Sequence, residues 1–284
     1  MCKIQIIISF LSLSLFLNAQ EWCGELKPAK FDKPPSTFED KLISDRFNHT
    51  ITPLLVGNKH TQIETATLFR NEILIDENWK NSKTDFSYNI YNSIKLKHAY
   101  SNKLECHITY IDFIASGDKE VREYERDNVN MSLAFGIKYI PGFFKNKFYK
   151  MALYGQLTIP KPENILRTYM SPEIRFLIYR PLFKRFNVTY NMGTAYSNFH
   201  NAWTYLDGLL VKMNLGKRME PFAEFYKNYT TSGPPRDPHK RLLLGIGYYL
   251  VEDFYFYTSC EAGWYHEESL NTERFDIGLT YRFK

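Results

Sequence analysis

The chain has 284 residues, a formal net charge of +5 and charged side chains at 24%, with basic and acidic residues interspersed. That length suits one large domain or two small ones, and so mild a charge gives no case for a nucleic-acid partner. Aromatic residues reach 17%, with 21 Tyr and 22 Phe, a bias toward strand formers and toward side chains with one greasy and one wet end.

The N-terminus, MCKIQIIISFLSLSLFLNAQ, carries one Lys, then an apolar run of 14 residues from Ile4 to Leu17, then small and polar residues. This is the pattern of a secretory signal, and the run is short of the roughly 20 residues that a membrane-spanning helix needs. Residues 1–20 are therefore read as a signal peptide cut near Ala19 or Gln20. Removing Cys2 leaves Cys23, Cys106 and Cys260, an odd and sparse set that makes no disulfide framework. Residues 21–60 carry several prolines, mixed charge and no clear period. They read as an extended periplasmic segment leading into the rest of the chain.

From Thr61 the pattern changes to short runs of strand formers in which apolar and polar residues alternate. Twelve such runs can be counted, over 61–69, 87–97, 104–114, 129–140, 148–159, 171–179, 186–196, 203–213, 219–229, 241–250, 254–265 and 274–283. Most are 9 to 12 residues long, whereas soluble strands typically have about 5 to 6 and a tilted strand crosses a bilayer in about 9 to 11. Joins after the even-numbered runs (AYSNK, PGFFKNK, RPLFKR, NLGKR, VED) are short. Those after odd-numbered runs, such as SGDKEVREYERDN, TTSGPPRDPHK and HEESLNTE, are longer, with SNFHNA as the exception. The expected fold is all-β: a transmembrane antiparallel β-barrel of about 12 strands over 61–284, with short periplasmic turns and longer extracellular loops.

Alternate positions of a strand face opposite sides of the sheet. In the last run, Phe275, Ile277, Leu279, Tyr281 and Phe283 share one parity, and Arg274, Asp276, Gly278, Thr280 and Arg282 the other. Lipid offers a charge no partner, so the apolar set points out and the charged set lines the lumen. The same sorting sends Glu64, Lys95, Lys97, Glu105, Lys138, Glu173, Arg175, Glu224, Glu261, Arg274, Asp276 and Arg282 inside. Two functions suit such a nearly balanced set: an ion-pair network that fills and stiffens the lumen, or a polar constriction that selects solutes by charge and size. Two runs resist phasing. Asp207 and Lys212 fall on opposite parities of the eighth, which calls for a bulge or a rim position, and Asp112 has the same difficulty in the third.

Several stretches taken in order resemble a family of outer-membrane transporters named for the meta-pathway of phenol degradation. They are QIETATLF (62–69), GIKYIPG (136–142), LYGQLTIP (153–160), YNMGTAY (190–196), PFAEFY (221–226), GIGYYLVEDFYFYTSCEAGW (245–264) and DIGLTYRF (276–283). The likeness runs from about Leu42 to the C-terminus, and its order and spacing carry it, since each stretch alone is a generic barrel strand. ISDRFNHT (43–50) departs from the family's acidic-Arg-Pro segment, and Lys284 follows the usual terminal aromatic. The resemblance implies passage of small solutes, hydrophobic ones included, across the outer membrane. It implies as partners the surrounding lipid and the barrel-assembly machinery.

Two other classes compete. A lipid acyl hydrolase would need a Ser nucleophile, a His base and an acidic orienter near the outer rim, and Ser197 and His200 in YSNFHNAW with Glu267 or Glu268 are the candidates. A structural or adhesive barrel would display its loops. His60, His107, His239 and His266 are scattered without metal-ligand spacing, so no metal site and no cofactor are expected.

Overall fold

A computed structural model describes residues 50–73, 86–116, 131–142, 149–160, 170–182, 185–197, 202–216, 218–231, 239–264 and 270–283. The signal peptide and most of the 21–60 segment lie outside those residues. Twelve strands are present: β1 (Thr61–Ile73), β2 (Phe86–Ser101), β3 (Leu104–Ser116), β4 (Met131–Tyr139), β5 (Lys150–Pro160), β6 (Ser171–Leu182), β7 (Phe186–Ser197), β8 (Ala202–Met213), β9 (Met219–Thr230), β10 (His239–Val251), β11 (Phe254–Trp264) and β12 (Leu270–Phe283). Each pairs antiparallel with its chain neighbours, and β1 pairs with β12 from Thr61↔Phe283 to Glu72↔Thr272, which closes the barrel. Closure leaves no strand edge, the condition for backbone to sit in hydrocarbon.

All twelve strands begin or end within a few residues of the alternating runs. The differences lie at the ends, where pairing mostly continues beyond the alternation, whereas β4 stops short of its run at Tyr139. The strand β12 starts at Leu270, so the second half of HEESLNTE is strand rather than loop. The β6 strand includes Arg180, Pro181 and Leu182 of the RPLFKR join, each with a register partner on β7. The β2–β3 and β10–β11 turns are two residues long (102–103 and 252–253). The β4–β5 join is the exception at this end, covering 140–149.

Burial sorts by parity. Ile94, Leu96, Ile108, Phe135, Ile137, Leu153, Ile174, Leu209, Leu244 and Leu279 are all exposed to the outside, an arrangement that would be unstable in water and is stable against acyl chains. Exposed aromatics flank this band at both ends. Tyr100, Tyr139, Phe186, Tyr281 and Phe283 lie toward the short-turn end, and Trp203, Tyr205 and Tyr229 toward the long-loop end, as interfacial girdles do. No helix among the described residues is long and apolar enough to cross a membrane; the strands provide the crossing.

The inward face is packed by two devices. Along β9–β12 and β1, large aromatics lie over glycines of the next strand: Phe222 over Gly245, Tyr255 over Gly247 and Tyr257 over Gly278. A Cβ at Gly247 would fall on the Tyr255 hydroxyl. Along β3–β8 the filling comes from the lead-in to the barrel. Residues 50–56 run against the inner wall, with Thr50, Ile51, Thr52 and Val56 almost fully buried. Ile51 packs in a cluster with Ala152, Tyr154 and Leu177. The site of a Cβ at Gly208 is 2.7 Å from Thr50 Oγ1. After Val56 the chain reverses through Gly57, whose φ of +111° suits glycine. It then enters β1 once Lys59 N–H has bonded Ala99 O and Ala99 N–H has bonded His60 O.

Candidate functional site

The lumen gathers the charged side chains into groups that can be followed from the short-turn end upward. At the lowest level Lys138 Nζ stands 3.3 Å from Glu105 Oε1. Both are tied to the strap formed by residues 50–56: Val56 N–H donates to Glu105 Oε2 at 2.8 Å, and Lys138 donates to Leu54 O at 3.2 Å. A strap inside a barrel cannot pair its backbone with a sheet, so its peptide groups need side-chain partners. Glu105 and Lys138 supply them and neutralise each other.

Beside this latch, Lys97 Nζ contacts Glu64 Oε1 at 2.5 Å, and the same carboxylate oxygen accepts from Gln62 Nε2 at 2.6 Å. Across the lumen Lys212 pairs with Glu220 at 3.1 Å, and Tyr255 Oη donates to that carboxylate at 3.2 Å. Arg282 bonds Asp253 of the β10–β11 turn at 2.7 Å. Higher up, Arg175 and Glu173 pair along β6 at 2.5 Å. The largest group spans β10–β12: Arg241 to Glu261 at 2.8 Å, Arg274 to Glu261 at 3.6 Å and to Asp276 at 2.9 Å, with Ser259 donating to Asp276 at 3.3 Å. Arg241 also lies 5.6 Å over the Tyr226 ring.

Each charge that parity sends to the lumen lies on the inward face. Glu64, Lys97, Glu105, Lys138, Glu224, Glu261, Arg274, Asp276 and Arg282 are buried, and Lys95, Glu173 and Arg175 line an inner cavity. Strand position does this work, since register fixes face once one pair is set. Sequence reading missed the inward Glu220 and Arg241 and left Lys212 unphased. Glu220 shares parity with Glu224, and Arg241 with Gly245 and Gly247, which could have found them.

The conflict in the eighth run resolves without a bulge in β8, whose register with β7 and β9 is continuous. Lys212 faces in and Asp207 faces out, where its carboxylate accepts a hydrogen bond from Tyr190. For the third run, the β2–β3 register shifts between Ile90 and Tyr91, next to Asn92↔Asp112. The Asp112 side chain lies outside the described residues. So do His200, Glu267, Glu268 and the side chain of Ser197, the last residue of β7. Among the described residues no cluster of His, Cys, Asp and Glu could hold a metal ion.

Beside the strap remains a cavity of about 130 Å³. Glu64, Lys95, Glu173, Arg175, Gln156 and Ile51 are among its walls. It has room for several waters, and it is well below the roughly 300 to 1,000 Å³ of pockets that enclose drug-sized ligands. His107 stacks on Tyr154 with ring centroids 5.2 Å apart, and Tyr154 donates to Gln156 at 2.6 Å. That side of the cavity is thus a rigid polar wall.

The chain matches no protein-family model and no curated protein. Among solved structures it is similar to an outer-membrane channel from Pseudomonas putida F1, at 9% identity and a TM-score of 0.56, over 85% of this chain and 100% of that one. It is similar also to the NanC porin, at 7% identity and a TM-score of 0.55, over 77% of this chain and 98% of the porin. At such identities the likeness is one of fold, and the fold is that of an outer-membrane β-barrel: twelve antiparallel strands, closed, apolar without and charged within.

Proposed function

We propose that this protein is a passive outer-membrane channel for small polar solutes, exported by its signal peptide and inserted by the barrel-assembly machinery. The observation that carries the reading is the cavity beside the strap: the lumen is not packed solid, and Glu64, Lys95, Glu173 and Arg175 stand in the wall of its remaining space beside Ile51, Ala66 and Tyr257. Twelve strands enclose more cross-section than the eight of a side-chain-filled barrel and less than the 16 to 18 of an open porin. Residues 50–56 occupy part of the difference.

Solute chemistry follows from the lining. An apolar molecule in this space would strip water from carboxylates and guanidinium without replacing it, at a cost of several kcal/mol. A hydroxyl- or amide-bearing solute replaces that water bond for bond. The lining therefore favours polar cargo over the hydrophobic cargo that the family resemblance implies.

Planar-bilayer recording tests the proposal. The purified full chain should give discrete conductance steps, with ion selectivity altered in Arg175→Ala and Glu224→Ala. Bilayers that stay electrically silent at every applied voltage, with folded barrel inserted, would refute channel function.

A further inference from the structure

Of the outward-facing charges, two lysines stand directly opposite each other. Lys227 of β9 is the register partner of Lys240 of β10, and both have the parity of the lipid-facing residues. Opposed side chains start about 5 Å apart, and like charges so placed repel. On an outward face with hydrocarbon below, they repel through a medium that screens poorly.

The other neighbour of Lys227 across the sheet is Asp207 on β8, an obvious partner that is not used. Among the described residues neither lysine has a carboxylate within ion-pair distance. Asp207 instead accepts from Tyr190. The Lys227 ammonium extends the other way, 4.5 Å over the ring of Tyr229. Tyr229 and its register partner Tyr205 belong to the exposed aromatic girdle at the long-loop end. Long cationic side chains extend in this manner to reach the interface. Here two of them reach the same level side by side, next to aromatic rings, which makes a doubly cationic notch at headgroup height.

We infer that Lys227 and Lys240 bind a phosphate group of an outer-leaflet glycolipid. A phosphate between the two ammonium groups converts their repulsion into two charge-assisted contacts, while Tyr205 and Tyr229 offer flat surfaces to the sugar and the first methylenes. The inference rests on the outer-membrane reading and on the long-loop end facing outward. It does not depend on conduction, so channel failure leaves it standing.

The test uses the full barrel extracted from outer membranes, its retained lipid measured by native mass spectrometry. The barrel is also titrated with a bisphosphorylated hexa-acyl glucosamine disaccharide and with the same lipid dephosphorylated. Wild type should retain the bisphosphorylated form, and Lys227→Gln/Lys240→Gln should weaken its binding on the order of ten-fold or more. Lys240→Gln alone should give an intermediate loss, and folding of each variant is checked by heat-modifiable mobility. Arg180→Gln, at the exposed short-turn end of β6, should bind as wild type does. Equal binding of both lipid forms, unchanged binding in the double variant, or loss caused by Arg180→Gln instead would each overturn the inference.

Discussion

The two halves of the inner wall solve the same problem differently. Along β9–β12 the lumen is filled by the barrel's own side chains, with Phe222, Tyr255 and Tyr257 laid over Gly245, Gly247 and Gly278. Along β3–β8 the inward positions include Ala152 and Gly208, and the space these small residues leave is taken by Ile51 and Thr50 of the 50–56 strap. Aromatic filling is permanent, because each ring belongs to a paired strand. Strap filling is conditional, since it depends on a few contacts such as Glu105 to Val56 and Lys138 to Leu54. A barrel with one permanent and one conditional wall can change its cross-section without breaking a strand pair.

Substitutions on the two walls should therefore differ in kind. The largest effect is expected from Glu261→Ala on the permanent wall. It removes the 2.8 Å partner of Arg241 and one of the carboxylates beside Arg274, and breaking a buried pair costs about 3 to 5 kcal/mol. Urea unfolding from vesicles should show that loss. Next comes Gly247→Val, which overlaps the Tyr255 ring. Overpacking of this sort costs about 1 to 3 kcal/mol and should lower the unfolding midpoint without altering conductance in barrels that do fold.

On the conditional wall the ordering reverses between stability and conduction. Glu105→Gln combined with Lys138→Met keeps an acceptor for Val56 N–H and removes both charges of the buried pair together, which avoids an uncompensated charge and costs on the order of 1 kcal/mol for the lost contact to Leu54 O. Its unfolding midpoint should move little while bilayer conductance rises. Gly208→Ala should be smaller still, as the one close approach of its methyl is to the Thr50 hydroxyl, which shifts the strap rather than a strand. If that double variant unfolds the barrel as readily as Glu261→Ala does, the strap is structural and the distinction between the walls fails.

The strands were legible because lipid enforces a rule that water does not: a parity either admits charge or excludes it. Arg274, Asp276 and Arg282 against Phe275 and Phe283 is such a case, and the inward face of β12 follows from it. Asp207 breaks the rule by facing out with a tyrosine hydroxyl as its partner, which is why β8 could not be phased. In VEDFYFY both parities are aromatic, and it is the charge at Glu261, further along the same run, that assigns Tyr255 and Tyr257 to the buried face and Phe254 and Phe256 to the outward one. The strap was not legible at all. TITPLLV has no strand period and contains a proline, the usual marks of a linker, and its backbone is satisfied by Glu105 and Lys138, which lie far away in sequence.

The outward face gives the most direct test of the central claim that this barrel is sorted between hydrocarbon and a polar interior. Cys260 is a free thiol on the outer surface of β11, opposite Leu244 and Phe275 in the register. In bilayers, with Cys23 and Cys106 replaced by Ser, Cys260 should resist a sulfonated maleimide and react with it once the barrel is unfolded in urea. Rapid labelling by the sulfonated reagent in intact bilayers would place Cys260 in water and contradict the account.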